Sequence, residues 1–263
     1  TDFLEMIQRM RGVEIELYGE GLQQSMCAYH AQLASQKDGY VEDAALANGY
    51  IHVPEHPDSS MIRRPNGFLF PAADTQWSPI SGQSYQILYE VLNHTPKRGV
   101  VVQAGGNVGV LAMALSKHFG KVYTFEPDDD NFRCLVHNVT APNVVKTQVA
   151  LGESSSRVGM NVFPANCGSH AIEGTGDTLV ETVDSLKLDA CDLIVLDVEG
   201  YELFALKGAA QTIERHRPTI ALEDKGLSQR YGVAKGEAPK WLADNFGYRV
   251  VREDKRDVIL RCD

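Results

Sequence analysis

The chain has 263 residues, 43% apolar and 23% charged, with 23 glycines and 11 prolines, which excludes collagen-like, low-complexity and disordered organisation. That length accommodates one large domain or one domain plus an extension. Its net charge of −10 divides evenly, with 7 basic against 12 acidic residues over 1–98 and 18 against 23 over 99–263. Neither part carries the basic field that nucleic-acid binding requires.

At the start of the chain, Asp2 and Glu5 precede Arg9 and Arg11, and no basic stretch leads into an apolar one, so no secretory signal is expected there. Residues 1–50 read as helical, with Leu22, Met26, Tyr29 and Leu33 recurring at three to four residues along one face. Between Pro54 and Pro79 the chain concentrates five of its prolines around an Asn66-Gly67 turn, which predicts an irregular or short-stranded connector. The His52 and His56 pair has the spacing of two zinc ligands on one helical face, but Pro54 and Pro57 forbid that helix. A helix is predicted over Gly82–Asn93.

From Gly99 the texture changes to strands alternating with helices. The strands are Val100–Gln103, Val122–Glu126, Val144–Val149, Leu193–Asp197 and Thr219–Glu223. The helices are Val108–His118, Asp129–Asn138, Tyr201–Glu214 and Pro239–Asn245, and a Gly/Ser-rich excursion separates the third strand from the fourth. Such alternation implies an α/β fold with a parallel sheet covered on both faces. The last two strands, Tyr248–Arg252 and Val258–Arg261, are joined only by residues 253–257, too few for a crossover, so they form an antiparallel hairpin. The longest uncharged run, Gly99–Ser116, holds Gln103, Asn107 and a central group of glycines, and reads as strand, turn and helix rather than a membrane span. The five cysteines, Cys27, Cys134, Cys167, Cys191 and Cys262, contain no C-x-x-C pair, so buried thiols in a reduced, cytoplasmic setting are the expectation.

The sharpest chemical signal is Ala104-Gly105-Gly106-Asn107-Val108-Gly109, between an apolar strand and an amphipathic helix. Glycines there permit a tight turn and a close backbone approach, to a ligand or simply to a neighbouring segment. Glu126, 21 residues after Gly105 and at the end of the next strand, is placed to accept both hydroxyls of a ribose. Together they read as a site for an adenosine-containing cofactor, with NAD and S-adenosylmethionine both compatible.

Four segments carry a resemblance to a known family: VVQAGGNVG (101–109), FEPDDDNFRCLVHN (125–138), VALGE (149–153) and DLIVLDVEGYELFALKGA (192–209), followed by HRPTIALED (216–224). They resemble the FkbM-type S-adenosylmethionine-dependent methyltransferases, over most of residues 99–224. The resemblance implies a Rossmann-like methyltransferase fold: a mostly parallel seven-stranded sheet ending in an antiparallel hairpin. Residues 99–263 form its core, and residues 1–98 are a helical and irregular extension serving as substrate cap or oligomerisation element. It implies that Gly105, Gly106, Asn107 and Gly109 cradle the methionine part of the cofactor and that Glu126 holds its ribose. Phe125 and Pro127 would sit beside the adenine, Val149 and Ala150 would close over it, and Asp197 would point into the crevice. Gln103 stands where the family usually has an acidic residue; its amide is expected to accept from the cofactor's ammonium without charge assistance.

Methyl transfer to a hydroxyl needs alignment and a proton acceptor. Candidate bases are Asp197, Glu199, His170 and Glu223, with capping of the helix at Tyr201 as the structural alternative for Glu199. Asp197, Glu223 and Asp224 form an oxygen-only set compatible with a divalent cation such as Mg²⁺, which the sequence does not require. Asp128-Asp129-Asp130 reads as a helix start. Tyr231 and Lys235 match the Y-x-x-x-K pair of dehydrogenases, but Gly226, Gly232 and Gly236 argue against the helix that pair needs. The expected activity is O-methylation of a sugar, glycan or polyketide-like metabolite. An NAD-dependent oxidoreductase and a non-catalytic scaffold are the alternatives. The acceptor pocket is assigned to residues 1–98 with the loop 152–177, where Trp77 and Tyr85 either line it or pack between extension and core.

Overall fold

The computed structural model describes residues 57–262. The helical stretch expected over 1–50 and the His52 and His56 pair lie outside the described residues. The first elements are a short hairpin, β1 (Met61–Arg63) and β2 (Leu69–Pro71), closed at Asn66-Gly67, and a long helix, α1 (Trp77–His94). Helix α1 begins five residues before the predicted Gly82 because Pro79 falls in its first turn, where a helix leaves its N–H groups unbonded in any case.

The core follows as β3 (Val100–Ala104), α2 (Val110–Ser116), β4 (Lys121–Phe125), α3 (Asp129–Asn138) and β5 (Val144–Thr147). The Gly/Ser-rich excursion contributes five short strands: β6 (Ala150–Leu151), β7 (Ser156–Val158), β8 (Met160–Asn161), β9 (Ala171–Ile172) and β10 (Thr178–Glu181). Then come β11 (Leu193–Leu196), α4 (Glu202–Lys207), α5 (Ala210–His216), β12 (Thr219–Glu223), α6 (Glu237–Phe246), β13 (Arg249–Glu253) and β14 (Asp257–Arg261).

Seven strands form one sheet in the order β13-β14-β12-β11-β3-β4-β5. All neighbours pair parallel from β12 to β5, whereas β14 runs antiparallel to both β12 and β13, as the short connector dictates. Alternate residues of each strand serve opposite faces. Val101, Leu193 and Val195 pack with α1, α2 and α3, while Val102, Ile194 and Leu196 pack with α4, α5 and α6. The uninterrupted apolar run of β11 therefore reflects burial on both sides.

The single helix predicted over Tyr201–Glu214 is two helices broken at Gly208. A Cβ at Gly208 would lie 1.9 Å from the Gly152 carbonyl oxygen, so this turn presses against the backbone that follows β6. Helix α5 then restarts with its first N–H groups held by a distant side chain: Asp184 accepts from Gln211 N at 3.0 Å and Thr212 N at 2.8 Å.

Residues 57–98 are packed onto this core. Arg252 pairs with Glu90 of α1 at 3.2 Å, and Phe68, Leu69 and Phe70 are buried in the cluster that contains α2 and α3. The hairpin is anchored by Asn138, whose amide accepts from Leu69 N and donates to the carbonyls of Leu69 and Val108, each at 2.8 Å. No helix among the described residues is long and apolar enough to cross a membrane. The described cysteines are all free thiols. Substituting Asn138→Ala leaves three buried backbone groups without partners, and we expect a loss of about 2–4 kcal/mol in urea unfolding; a loss below about 0.5 kcal/mol would contradict the anchoring role.

Candidate active site

The strand order reverses between β3 and β11, since β4 and β5 follow on one side and β12 on the other. Open α/β sheets bind ligands at the carboxyl ends of the strands at such a point. A cleft of about 1240 Å³ lies there, counted with its open mouth. Its floor is the loop after β3, its sides are the ends of β4, β11 and β12, and α1 supplies Ile80, Gln83, Ser84 and Ile87 to one wall.

Gly105 adopts φ +80°, and a Cβ on it would stand 1.9 Å from the Asp197 carbonyl oxygen. The N–H groups of Gly105 and Gly106 both donate to the Phe125 carbonyl, at 3.1 and 2.8 Å. Both the tight turn and the close approach thus occur against the chain's own strands, which brings the ends of β3, β4 and β11 together. Asn107 N, in the left-handed region at φ 46°, donates to Glu126 Oε2 at 2.7 Å, and Asp128 N donates to Glu126 Oε1 at 3.0 Å. Glu126 is buried and makes no ion pair with lysine or arginine among the described residues. Burial, followed by the Asp128 carboxylate, outweighs these hydrogen bonds and pushes its carboxyl up to about 7. Phe125, Pro127, Val149 and Ala150 line the same end of the cleft.

Gln103 requires a correction. Its side chain lies under the loop, where Oε1 accepts from Thr124 Oγ1 on the paired strand and Nε2 donates to the Gly105 carbonyl at 2.7 Å. It is 1% exposed and supports the turn instead of facing a ligand.

His170 lines the cleft, but both its nitrogens are engaged: Nδ1 lies 3.3 Å from Asp128 Oδ2 and Nε2 lies 3.3 Å from the Phe163 carbonyl. Burial pulls its pKa down, and the carboxylates of Asp128 and Glu126 more than offset that, leaving it raised. With Nδ1 beside the Asp128 carboxylate and Nε2 beside the Phe163 carbonyl, His170 is placed as a latch between loop 163–170 and the start of α3 rather than as an open proton acceptor. The same loop is held at Cys167, whose carbonyl accepts from the amides of Asn107 and Asn131 at 2.8 Å and whose N–H donates to Asp74 at 3.0 Å. Asp128 is the N-cap of α3, accepting from Asn131 N at 2.9 Å, as the acidic run predicts.

At the other end of the cleft stand Asp197, Glu199 and Glu223, with carboxylate oxygens within 4.8 Å of one another. The following helix has no side-chain cap, from Glu199 or any other residue; Glu202, its first residue, reaches back to accept from Val198 N at 3.1 Å and Gly200 N at 3.2 Å. That grip on both flanking residues holds Glu199 in the left-handed region at φ 54°, a costly conformation for a side chain of this size. Burial and Asp197 raise the Glu199 carboxyl, and burial raises that of Glu223 as well.

Sequence reasoning missed the cations here. Lys225 Nζ sits 2.8 Å from Glu223 and 3.3 Å from Glu199, and the Arg256 guanidinium contacts Glu223 and lies 4.0 Å from Asp197. Antiparallel pairing of the last hairpin with β12 was the available signal, because it sets Asp257 opposite Glu223 and brings Arg256 with it. The expected Asp197, Glu223 and Asp224 set is not assembled: Asp224 turns away to accept from Gly236 N at 2.8 Å. The carboxylates that do converge already hold an ammonium and a guanidinium, so the donor set does not fit a divalent cation. Trp77 and Tyr85 pack against the core instead of lining the cleft. Tyr231 ends a 3₁₀ turn and donates to the Ile172 carbonyl at 2.9 Å, far from the role of a dehydrogenase pair.

The family model described as the methyltransferase FkbM domain matches residues 103–250. The chain belongs to the FkbM methyltransferase family. Among curated proteins it is similar to the hexuronic acid methyltransferase AglP of Haloferax volcanii, 29% identical over an alignment of 133 residues, with 47% of this chain and 55% of that protein covered. The chain thus spans about half the length of this curated relative. Among solved structures it is similar to the methyltransferase FkbM from Methylobacillus flagellatus, with 22% identity, TM-score 0.42, and 67% of this chain covering 54% of the other. It is also similar to the magnesium protoporphyrin IX methyltransferase from Synechocystis solved with bound SAM, with 12% identity, TM-score 0.42, and 71% of this chain covering 81% of that one.

With Glu199 and Glu223 already paired to Lys225 and Arg256, neither Mg²⁺ nor Mn²⁺ is expected to raise the melting temperature of the protein and EDTA is not expected to lower it. A saturable rise in melting temperature with either metal would contradict that assignment.

Proposed function

We propose that the chain is an S-adenosylmethionine-dependent methyltransferase that methylates a hydroxyl oxygen of a sugar or glycan. The observation that carries the reading is Glu126. It is a buried carboxylate at the end of β4, fixed by two backbone N–H groups and facing the cleft at the strand-order reversal. A ligand that donates two adjacent hydroxyls supplies what such a group lacks, and a ribose does so. Phe125, Pro127, Val149 and Ala150 give the neighbouring wall the apolar character a purine face needs. Family membership favours this cofactor over NAD.

When bound, S-adenosylmethionine supplies an electrophilic methyl group on a sulfonium. The chain's own residues do the rest. Loop 105–109 cradles the methionine part, Glu126 holds the ribose, and the pinned segment at Cys167 closes one side against water. Asp197 receives the proton released by the acceptor hydroxyl, because it is the accessible carboxylate of the cluster, with a side chain 47% exposed and, among the described residues, no cation nearer than 4.0 Å. Glu223, 1% exposed and held by two cations, keeps its neighbours in place. From the N-terminal part of the chain, the described helix α1 forms a wall of the acceptor pocket. The relative from Haloferax volcanii, named for a hexuronic acid, supports a sugar as the acceptor class.

Hydroxyls donate to the ionised form of Glu126, so binding of S-adenosylhomocysteine is expected to be level above pH 8 and to weaken below pH 7, by up to about tenfold per pH unit. Glu126→Gln is expected to weaken it roughly tenfold and flatten that profile, isolating Glu126 from Asp128 and His170, which titrate nearby. Calorimetric titration reads both, and an unchanged profile in the variant would contradict the ribose assignment. Asp197→Asn is expected to lower turnover by about 10²-fold or more with the affinity for S-adenosylhomocysteine unchanged; a fall in that affinity with turnover intact would contradict the proton-acceptor role.

A further inference from the structure

We infer that the acceptor is a neutral or amine-bearing polyol and that the cleft rejects sugars carrying a carboxylate. This deepens the proposed function and rests on it. The acceptor end of the cleft is lined by four carboxylate residues, Asp197, Glu199, Glu223 and Asp257, against one guanidinium, Arg256. Lys225, the other cation of the cluster, pairs with Glu199 and Glu223 but is not among the residues lining the cleft.

The distribution of exposure sharpens the asymmetry. Arg256 is committed to Glu223, a side chain 1% exposed, while Asp197 is 47% exposed. The charge presented to an incoming molecule is therefore negative. Carboxylate oxygens are acceptors only, and hydroxyls and ammonium groups are the donors that match them. A ligand carboxylate placed among them meets like charge on several sides, with Arg256 already paired. Burial first, and then the Asp197 carboxylate, push the Asp257 carboxyl up to about 6. Similarity to a hexuronic acid methyltransferase over 55% of that protein therefore does not carry the uronic acid itself to this chain.

The test uses the full chain saturated with S-adenosylhomocysteine and three probes of one shape, the 4-nitrophenyl glycosides of glucosamine, glucose and glucuronic acid. Calorimetric titration is expected to give binding of the first two, with the glucuronide at least about tenfold weaker. In Asp197→Asn, an exposed position whose change leaves packing intact, that gap is expected to narrow to about threefold or less, since one of the facing charges is gone. Glucuronide binding equal to or tighter than that of the glucoside would overturn the inference, and so would an unchanged gap in the variant. Binding of S-adenosylhomocysteine with none of the three glycosides would overturn it too. Absence of S-adenosylhomocysteine binding would instead bring down the proposed function on which it rests.

Discussion

The backbones of Gly105 and Asp197 approach so closely at the ends of β3 and β11 that no side chain fits between them. This contact locks the loop after β3 to the strand on the far side of the reversal. Two N–H groups of the same loop bind the Phe125 carbonyl at the end of β4, so three strand ends are tied at one point. Gln103 completes the tie from beneath, joining Thr124 to the Gly105 carbonyl. Everything in the cleft takes its position from this knot: Glu126 one residue beyond β4, Asp197 one residue beyond β11, and Asn107 bridging between loop and carboxylate.

The cleft has two electrostatic ends. At one, the buried Glu126 carboxylate accepts from two backbone N–H groups and is held at a pKa of about 7, close to the point where a ligand's hydroxyls decide its ionisation. At the other, four acids are partly balanced by Lys225 and Arg256, so the group is rigid and still negative. Beside Glu126, the latch of His170 on Asp128 holds the loop that lines the cleft. The arrangement suits a cationic cofactor at its middle and an uncharged or positive acceptor beyond it.

Much of the architecture was legible in the chain because local pattern and global fold agree. Adjacent residues Val101 and Val102 face opposite clusters, as do Ile194 and Val195, which is what a run of apolar residues buried on both faces means. The final hairpin followed from a five-residue connector. What stayed hidden depends on partners distant in sequence. The break at Gly208 comes from the Gly152 carbonyl, the burial of Gln103 from Thr124 on the next strand, and the loss of His170 as a base from its pairing with Asp128. Glu199 does not act as a cap because the chain turns through the left-handed region there, while Glu202 holds the N–H groups of both its neighbours. Lys225 and Arg256 resembled ordinary surface charge until register placed them against Glu223.

The central claim is that Glu126 receives a ribose in the cleft between β3 and β11. A crystal structure of the protein grown with S-adenosylhomocysteine tests it most directly. Both ribose hydroxyls are predicted within hydrogen-bonding distance of the Glu126 carboxylate, with the purine against Pro127 and the segment at Val149. Density for the nucleoside elsewhere in the cleft, with Glu126 bonded only to Asn107 and Asp128, would contradict the account.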